Sequence, residues 1–189
     1  DGFLGEARGL VEFHKLYGSD KQLFDAYATL FDRQQMWGRY DDAVATLGEM
    51  SALAQEKESA LGQGVTEFCF GQLYLNTREP AEAEQHYRRA FNILKAVGER
   101  GRALRAGFNL QACAMNLGRS EEGLAMNDST AMLLSEMEAR SGRVNAGNHL
   151  KQSRYRFVLL QRVDRLKEAA PLKDTLLHYA SILSDPSQD

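Results

Sequence analysis

FGQLY, at residues 70–74, is followed by Ala83 nine residues after its last residue, and then by Tyr87 and Ala90. Gly71 and the two alanines are small residues at helical spacing, on either side of a short polar stretch. Small side chains let two helix backbones approach closely. The segment from residue 70 to 90 therefore predicts an antiparallel helix pair joined by a tight turn.

The turn of this helix pair recurs along the chain. Four six-residue turns can be superimposed: GRYDDA at 38–43, REPAEA at 78–83, GRSEEG at 118–123 and DRLKEA at 164–169. Their last residues are separated by 40, 40 and 46 positions. A period of this length is typical of a solenoid, in which each helix pair covers the apolar face of its neighbour.

Composition agrees with an all-α chain. Of the 189 residues, 43% are hydrophobic and only 3 are proline, and the apolar residues follow helical spacing. No apolar run is long enough to cross a membrane. Residues 1–94 carry 9 basic and 15 acidic residues, a net charge of −6, whereas residues 95–189 carry +3. This balance gives no support to nucleic-acid binding.

We predict one domain over residues 1–189 with nine helices. The first, at about 3–17, has the appearance of half a repeat, and four repeats follow at about 20–59, 61–97, 101–140 and 143–184. Ser19 and Gln22 form a capping box, and Gly38 and Gly118 suit a left-handed residue after a helix. Pro171 must either start or kink the ninth helix. Because the chain begins at Asp1, we expect it to be part of a longer protein.

The segment around FGQLY resembles the tetratricopeptide repeat, whose pattern is W-x₂-L-G-x₂-Y followed by A-x₃-F. Gly71, Tyr74 and Ala83 match, Tyr87 stands for the phenylalanine, and Phe70 stands for the leucine. Glu67 replaces the tryptophan, and the period is 40 instead of 34. The longer period resembles a branch of the family found in signalling scaffolds and bacterial regulators.

The resemblance implies a right-handed α-solenoid of antiparallel helix pairs and a non-catalytic function in binding a protein or peptide on the concave face. It further implies the sensor or regulatory part of a bacterial signalling protein, for example a two-component sensor kinase. A constitutive assembly scaffold is the alternative. A nucleic-acid-binding or enzymatic helical repeat is a third, disfavoured hypothesis. Periplasmic and cytoplasmic locations both stay open.

In this family the first helix of each repeat lines the inner face, which gives a set of candidate groove residues. At a shift of 40, Phe68 corresponds to Phe108 and Asn76 to Asn116. The rings could offer an apolar floor to a peptide, or they could pack between repeats. The asparagines could bond a peptide backbone or cap helix ends. The complete candidate set is Phe68, Gln72, Asn76, Arg105, Phe108, Asn109, Asn116, Lys151 and Arg154.

The predicted eighth helix, residues 143–162, contains five basic residues and no acidic one. Lys151 and Arg154 share a face with Val158, and Arg105 lies on the preceding first helix of a repeat. Together they could bind a carboxylate or phosphate. The alternative is a solvated basic face paired with Glu136 and Glu138 of the seventh helix.

No catalytic motif, cofactor motif or metal-ligand spacing is recognisable in the sequence. The four histidines are scattered, and none has a partner at helical metal-site spacing. Cys69 and Cys113 do not amount to a disulfide framework, and burial as small apolar residues or a bond between neighbouring repeats are both open.

Overall fold

The computed structural model describes residues 2–184, and these residues are helical throughout apart from short connections. The nine predicted helices are all present in this part of the chain, the ninth being divided in two. The helices are α1 (Gly2–Tyr17), α2 (Asp20–Met36), α3 (Tyr40–Glu56), α4 (Ala60–Asn76), α5 (Pro80–Ala96), α6 (Arg100–Asn116), α7 (Ser120–Ser141), α8 (Ala146–Arg162), α9 (Leu166–Ala169) and α10 (Leu172–Ser184). None of these helices combines the length and apolar character needed to cross a membrane.

The chain forms two compact units, one ending at Ala103 and the other beginning at Leu104. In the first unit each helix packs against the next one along the chain, from α1 to α5. The α4–α5 pair is the one predicted from FGQLY. A Cβ placed on Gly71 would lie 2.7 Å from the Tyr87 ring, and Ala83 and Ala90 are fully buried. The predicted close approach of these two helices is therefore present.

In the second unit α7 packs on α8, and α8 packs on α9 and α10. Its core contains Leu124 of α7, Leu159 and Leu160 of α8, and Ala169 of α9. Gly123 lies where a Cβ would be 2.7 Å from Leu159, so the absence of a side chain here allows the close packing of α7 on α8. The core thereby fixes the position of α8, which carries most of the basic residues of interest.

Turn chemistry explains most of the helix boundaries. The capping box of Ser19 and Gln22 opens α2 as predicted. Gly38 and Gly118 have φ angles of 67° and 72°, in the left-handed region that glycine adopts without strain. Arg78 takes the same conformation with φ 65°, although it carries a side chain. The repeated turn is thus maintained even where the sequence supplies no glycine.

The predicted start of the eighth helix was wrong. The eighth helix begins at Ala146 and not at Arg143, because the side chain of Asn145 accepts a hydrogen bond from the Asn148 amide and caps it. The ninth helix is interrupted at Pro171, in agreement with the second of the two outcomes predicted there, since Pro171 lies in the connection between α9 and α10 and cannot donate a backbone hydrogen bond.

Candidate functional site

The candidates on α4 are held by neighbours within the first unit. Phe68 is buried and packs edge-to-face on Tyr87, with ring centroids 5.6 Å apart. Gln72 is half-buried and its Nε2 donates to Asp32 Oδ1 at 3.3 Å. The exposed Asn76 donates to Gln35. Phe68 is therefore a core residue of this unit. The side-chain amides of Gln72 and Asn76 lie nearer the surface, but each already donates a hydrogen bond to another side chain.

Among the candidates of the second unit, Phe108 is a buried ring that Lys151 contacts. This ring stacks on Tyr155 at a centroid distance of 6.1 Å, and Lys151 Nζ lies over it at 4.8 Å. Asn109 is half-buried on α6, and Asn116 is exposed at the end of the same helix. The Phe108 ring thus acts as a platform below the lysine and is not itself open to a ligand.

A cleft of about 580 Å³ opens along one face of α8. We call it the α8 cleft. Its α8 residues recur at three- and four-residue spacing and therefore share one side of the helix. Its lining includes Met115, Leu150, Lys151, Arg154, Tyr155 and Val158. The cleft has apolar walls with two cationic groups at its edge.

The electrostatics of the α8 cleft favour a negatively charged ligand. Burial lowers the pKa of Lys151, and the nearby charge of Arg105, an exposed residue of α6, lowers it further. Among the described residues, no carboxylate lies within ion-pair distance of Lys151 or Arg154. An anion placed here would relieve the repulsion between cations and form charge-assisted hydrogen bonds.

Two further basic residues of α8 have acidic partners, in part as the alternative interpretation predicted, whereas Arg162 donates to the backbone oxygen of Met115. His149 Nε2 lies 2.8 Å from Glu138 Oε1, and Arg156 pairs with Asp128. Burial acts to raise the pKa of Glu138, but hydrogen bonds from the Asn145 amide and from His149 outweigh it, so that this pKa is lowered. The basic residues of α8 that face α7 thus have acidic partners, whereas Lys151 and Arg154 at the cleft have none among the described residues.

A buried polar network holds the opposite side of α8. Asn127 of α7 donates to Gln111 Oε1 at 2.9 Å and to the backbone oxygen of Gln152 at 3.0 Å. Thr130 donates to Gln152 Oε1 at 2.8 Å. Sequence reasoning missed these residues, because polar residues inside an amphipathic helix look like surface residues until the packing is known. The network fixes α8 in register, since a shift would leave several buried polar groups without partners.

The described residues contain no group of three or more His, Cys, Asp or Glu side chains able to hold a metal ion. Cys69 and Cys113 are both buried and neither forms a disulfide. The α8 cleft offers hydrogen-bond donors and apolar surface, so the chemistry that it supports is recognition of an anionic, partly apolar group.

Comparisons with known proteins support the fold. No protein-family model matches the chain, and no curated protein matches it either. Two crystal structures of the nearly identical TPR-like repeats of a putative kinesin light chain from Podosopora anserina, one of them a point variant, are similar to it, each with a TM-score of 0.66 and 13% identity. The alignment to the point variant covers 93% of this chain and 84% of that one, and the other covers 96% and 87%. The all-α, tetratricopeptide-like arrangement of antiparallel helix pairs is thereby confirmed.

Proposed function

We propose that this chain is a non-catalytic repeat domain that binds a protein or peptide, and that the α8 cleft is its binding site. The observation that carries the proposal is the pair Lys151 and Arg154, which stands at the edge of an apolar cleft without an acidic partner among the described residues. The partner is an apolar segment bearing a carboxylate, either a C terminus or an acidic side chain.

Two contributions would determine the affinity. A hydrogen bond to a charged group contributes about 1.5–3 kcal/mol, and burial of apolar surface against Met115, Leu150 and Val158 contributes about 25 cal/mol per Å². Part of this is lost to ordering of the peptide. We therefore expect dissociation constants on the order of micromolar, which suit a reversible regulatory contact.

We further propose that the domain is the sensor or regulatory part of a bacterial signalling protein, such as a two-component sensor kinase. The support is the resemblance of the 40-residue period to that branch of the repeat family. In this role the bound peptide would shift the population of two arrangements of the helices, and an attached output domain would respond to the shift.

A constitutive assembly scaffold is the second candidate, and one observation favours it. One side of α1 exposes large apolar side chains, among them Phe13 and Tyr17, which are 54% and 75% exposed. An exposed apolar surface is typical of a protein contact. The scaffold predicts association through α1 that is independent of any anionic peptide, whereas the sensor predicts a response to the peptide.

The test is selection from a display library of peptides with free C termini, followed by fluorescence anisotropy of the selected peptides. We expect Lys151→Met or Arg154→Met to weaken binding about tenfold or more, the effect of losing a charge-assisted hydrogen bond. Lys173→Met, which removes an exposed lysine of α10, is the control and should bind as the unmodified chain does. Equal binding by all three variants would refute the site.

A single-stranded DNA oligonucleotide provides the counter-test. Binding of DNA that collapses between low and moderate salt would point to nucleic-acid recognition through the basic residues of α8 instead. Lys151→Met is expected to keep or raise the melting temperature, because the substitution removes a partly buried ammonium group that lies beside Arg105. Where the measured melting temperature is unchanged or raised, a loss of peptide binding by this variant is not due to unfolding.

A further inference from the structure

A second, smaller cleft lies within the first unit, between α1, α2 and α3, and has a volume of about 280 Å³. We call it the α2 cleft. Its apolar part is formed by Val11, Leu30 and Ala45. Its polar and charged part includes Arg8 and Glu12 from α1, Tyr27 and Gln34 from α2, and Asp42, Thr46 and Glu49 from α3. Polar and apolar surface of this size suits a single amino-acid residue or a similarly small molecule.

Gln34 brings a buried donor to the α2 cleft. Its side chain is 2% exposed, and its Oε1 accepts a hydrogen bond from Thr46 Oγ1 at 2.9 Å. This contact fixes the orientation of the amide, so Nε2 is the atom left to the cleft. Nε2 makes no hydrogen bond to the rest of the described chain. Because Gln34 lines the cleft, this amide nitrogen is placed to donate to an acceptor on a ligand.

The exposed carboxylate of Glu49 forms no ion pair with a cation of the described residues, and Lys15 Nζ lies 5.7 Å from the centroid of the neighbouring Tyr27 ring. Glu49 Oε2 accepts a hydrogen bond from the Tyr27 hydroxyl at 3.1 Å, which orients the carboxylate. The other charged residues of the cleft are already paired, namely Glu12 with Lys15 at 2.8 Å, and Asp42 with Arg39 at 2.7 Å and with Arg8 at 3.8 Å. The charge open to a ligand is therefore the negative charge of Glu49.

The two groups lie on neighbouring turns. Glu49 follows Thr46 by three residues on α3, and Thr46 is the residue that holds Gln34. We propose that the α2 cleft binds a protonated amine with a carbonyl group close to it, as found at the first residue of a peptide or in a small amino-acid amide. The ammonium group donates to Glu49, and the carbonyl oxygen accepts from Gln34 Nε2. The site is independent of the α8 cleft and of the function proposed there.

The probes are alanine amide, the tripeptide amide Ala-Ala-Ala-NH₂ and N-acetyl-alanine amide, each titrated into ¹⁵N-labelled protein and followed by NMR. The first two carry the amine and the third does not. We expect amide shifts in α1, α2 and α3 with the first two probes and none with the third. Tighter binding of the tripeptide than of alanine amide would assign the site to peptide N termini, and the reverse order would assign it to a free small amine.

Two variants test the named contacts. Glu49→Gln keeps the shape and the hydrogen-bond acceptor but removes the charge, and should weaken binding about tenfold or more. Glu56→Gln removes an exposed carboxylate at the end of the same helix and should leave binding unchanged. The proposal is overturned if the acetylated probe binds as well as alanine amide, if Glu49→Gln binds normally, or if no probe shifts these helices at millimolar concentration. The last result would mean that water alone satisfies Gln34.

Discussion

Replacing Gly71 with alanine tests whether the α4–α5 contact decides the fold. A Cβ at this position would lie 2.7 Å from Tyr87 Cδ1 and 2.8 Å from two further ring carbons. Such distances are shorter than carbon atoms tolerate, so either the ring or the helix must move. The Tyr87 ring is fully buried and lies against Phe68, so it has no room to withdraw.

The expected magnitude is the difference between two effects. Overpacking in a filled core costs about 1–3 kcal/mol, whereas exchanging glycine for alanine inside a helix contributes about 1 kcal/mol of stability. We expect Gly71→Ala to destabilise the first unit by up to about 2 kcal/mol. Gly48→Ala is the matched control, because Gly48 lies inside α3 with nothing within 4 Å of its added Cβ. That variant should be stabilised by about 0.5–1 kcal/mol.

The assay is urea-induced unfolding followed by circular dichroism at 222 nm, with both variants measured against the unmodified chain. The free energies of unfolding should separate the two variants by about 0.5–3 kcal/mol, with Gly71→Ala the less stable of the two. If Gly71→Ala were as stabilising as Gly48→Ala, the close approach would not exist and the packing argument would be refuted. In a Tyr87→Leu background, Gly71→Ala should lose most of its cost, which would locate the clash at the ring.

Three further predictions concern the turns, the buried network and acid pH. Arg78→Gly should raise the free energy of unfolding by about 1 kcal/mol, because it removes a side chain from a left-handed residue, and Gly38→Ala should lower it by a similar amount in the same urea titration. Asn127→Ala should cost about 2–4 kcal/mol by leaving buried partners unsatisfied, whereas Asp128→Ala, which breaks an exposed ion pair, should cost less than about 1 kcal/mol. Because the folded-state pKa of Glu138 is lowered, its contribution to stability is present above the ordinary glutamate pKa and is lost as the pH falls through the folded value. Melting temperatures measured between about pH 6 and pH 3 should therefore fall less steeply for Glu138→Gln, and an unchanged slope would contradict this account.

Much of the fold could be predicted from the sequence because helix ends and helix contacts depend on local chemistry. The capping box, the turn glycines and the small residues of FGQLY each act within a few residues or across one helix pair. The start of the eighth helix was predicted wrongly, and the form of the break at Pro171 was left open, for reasons that are also local. Asn145 was not recognised as the N-cap of α8. Pro171 can either begin a helix or kink one, and the sequence does not choose between these outcomes.

The candidate site was harder to predict, because its residues depend on which surfaces remain open after packing. The shift of 40 residues made Phe68 and Phe108 equivalent candidates for the floor of a binding groove, and both are buried. The same spacing cannot tell a ring that floors a groove from a ring that fills a core. Lys151 and Arg154 were identified because their helix contains no acidic residue. This property can be read from the sequence without knowing which side chains are buried.

The repeat fold does not determine which charged residues stand at its surface, and both proposed sites depend on such residues. Packing fixes the small and apolar positions of each helix pair, since any change there meets a neighbour, as at Gly71. The polar positions beside a cleft meet solvent or a ligand instead, so acid and base can be exchanged there without altering the fold. Within the part of the chain that the structure describes, the α2 cleft presents a carboxylate without an ion-pair partner, and the α8 cleft presents two cations without acidic partners. If the charge at each cleft selects its ligand, Glu49→Gln and Lys151→Met should each weaken binding at one cleft and leave binding at the other unchanged.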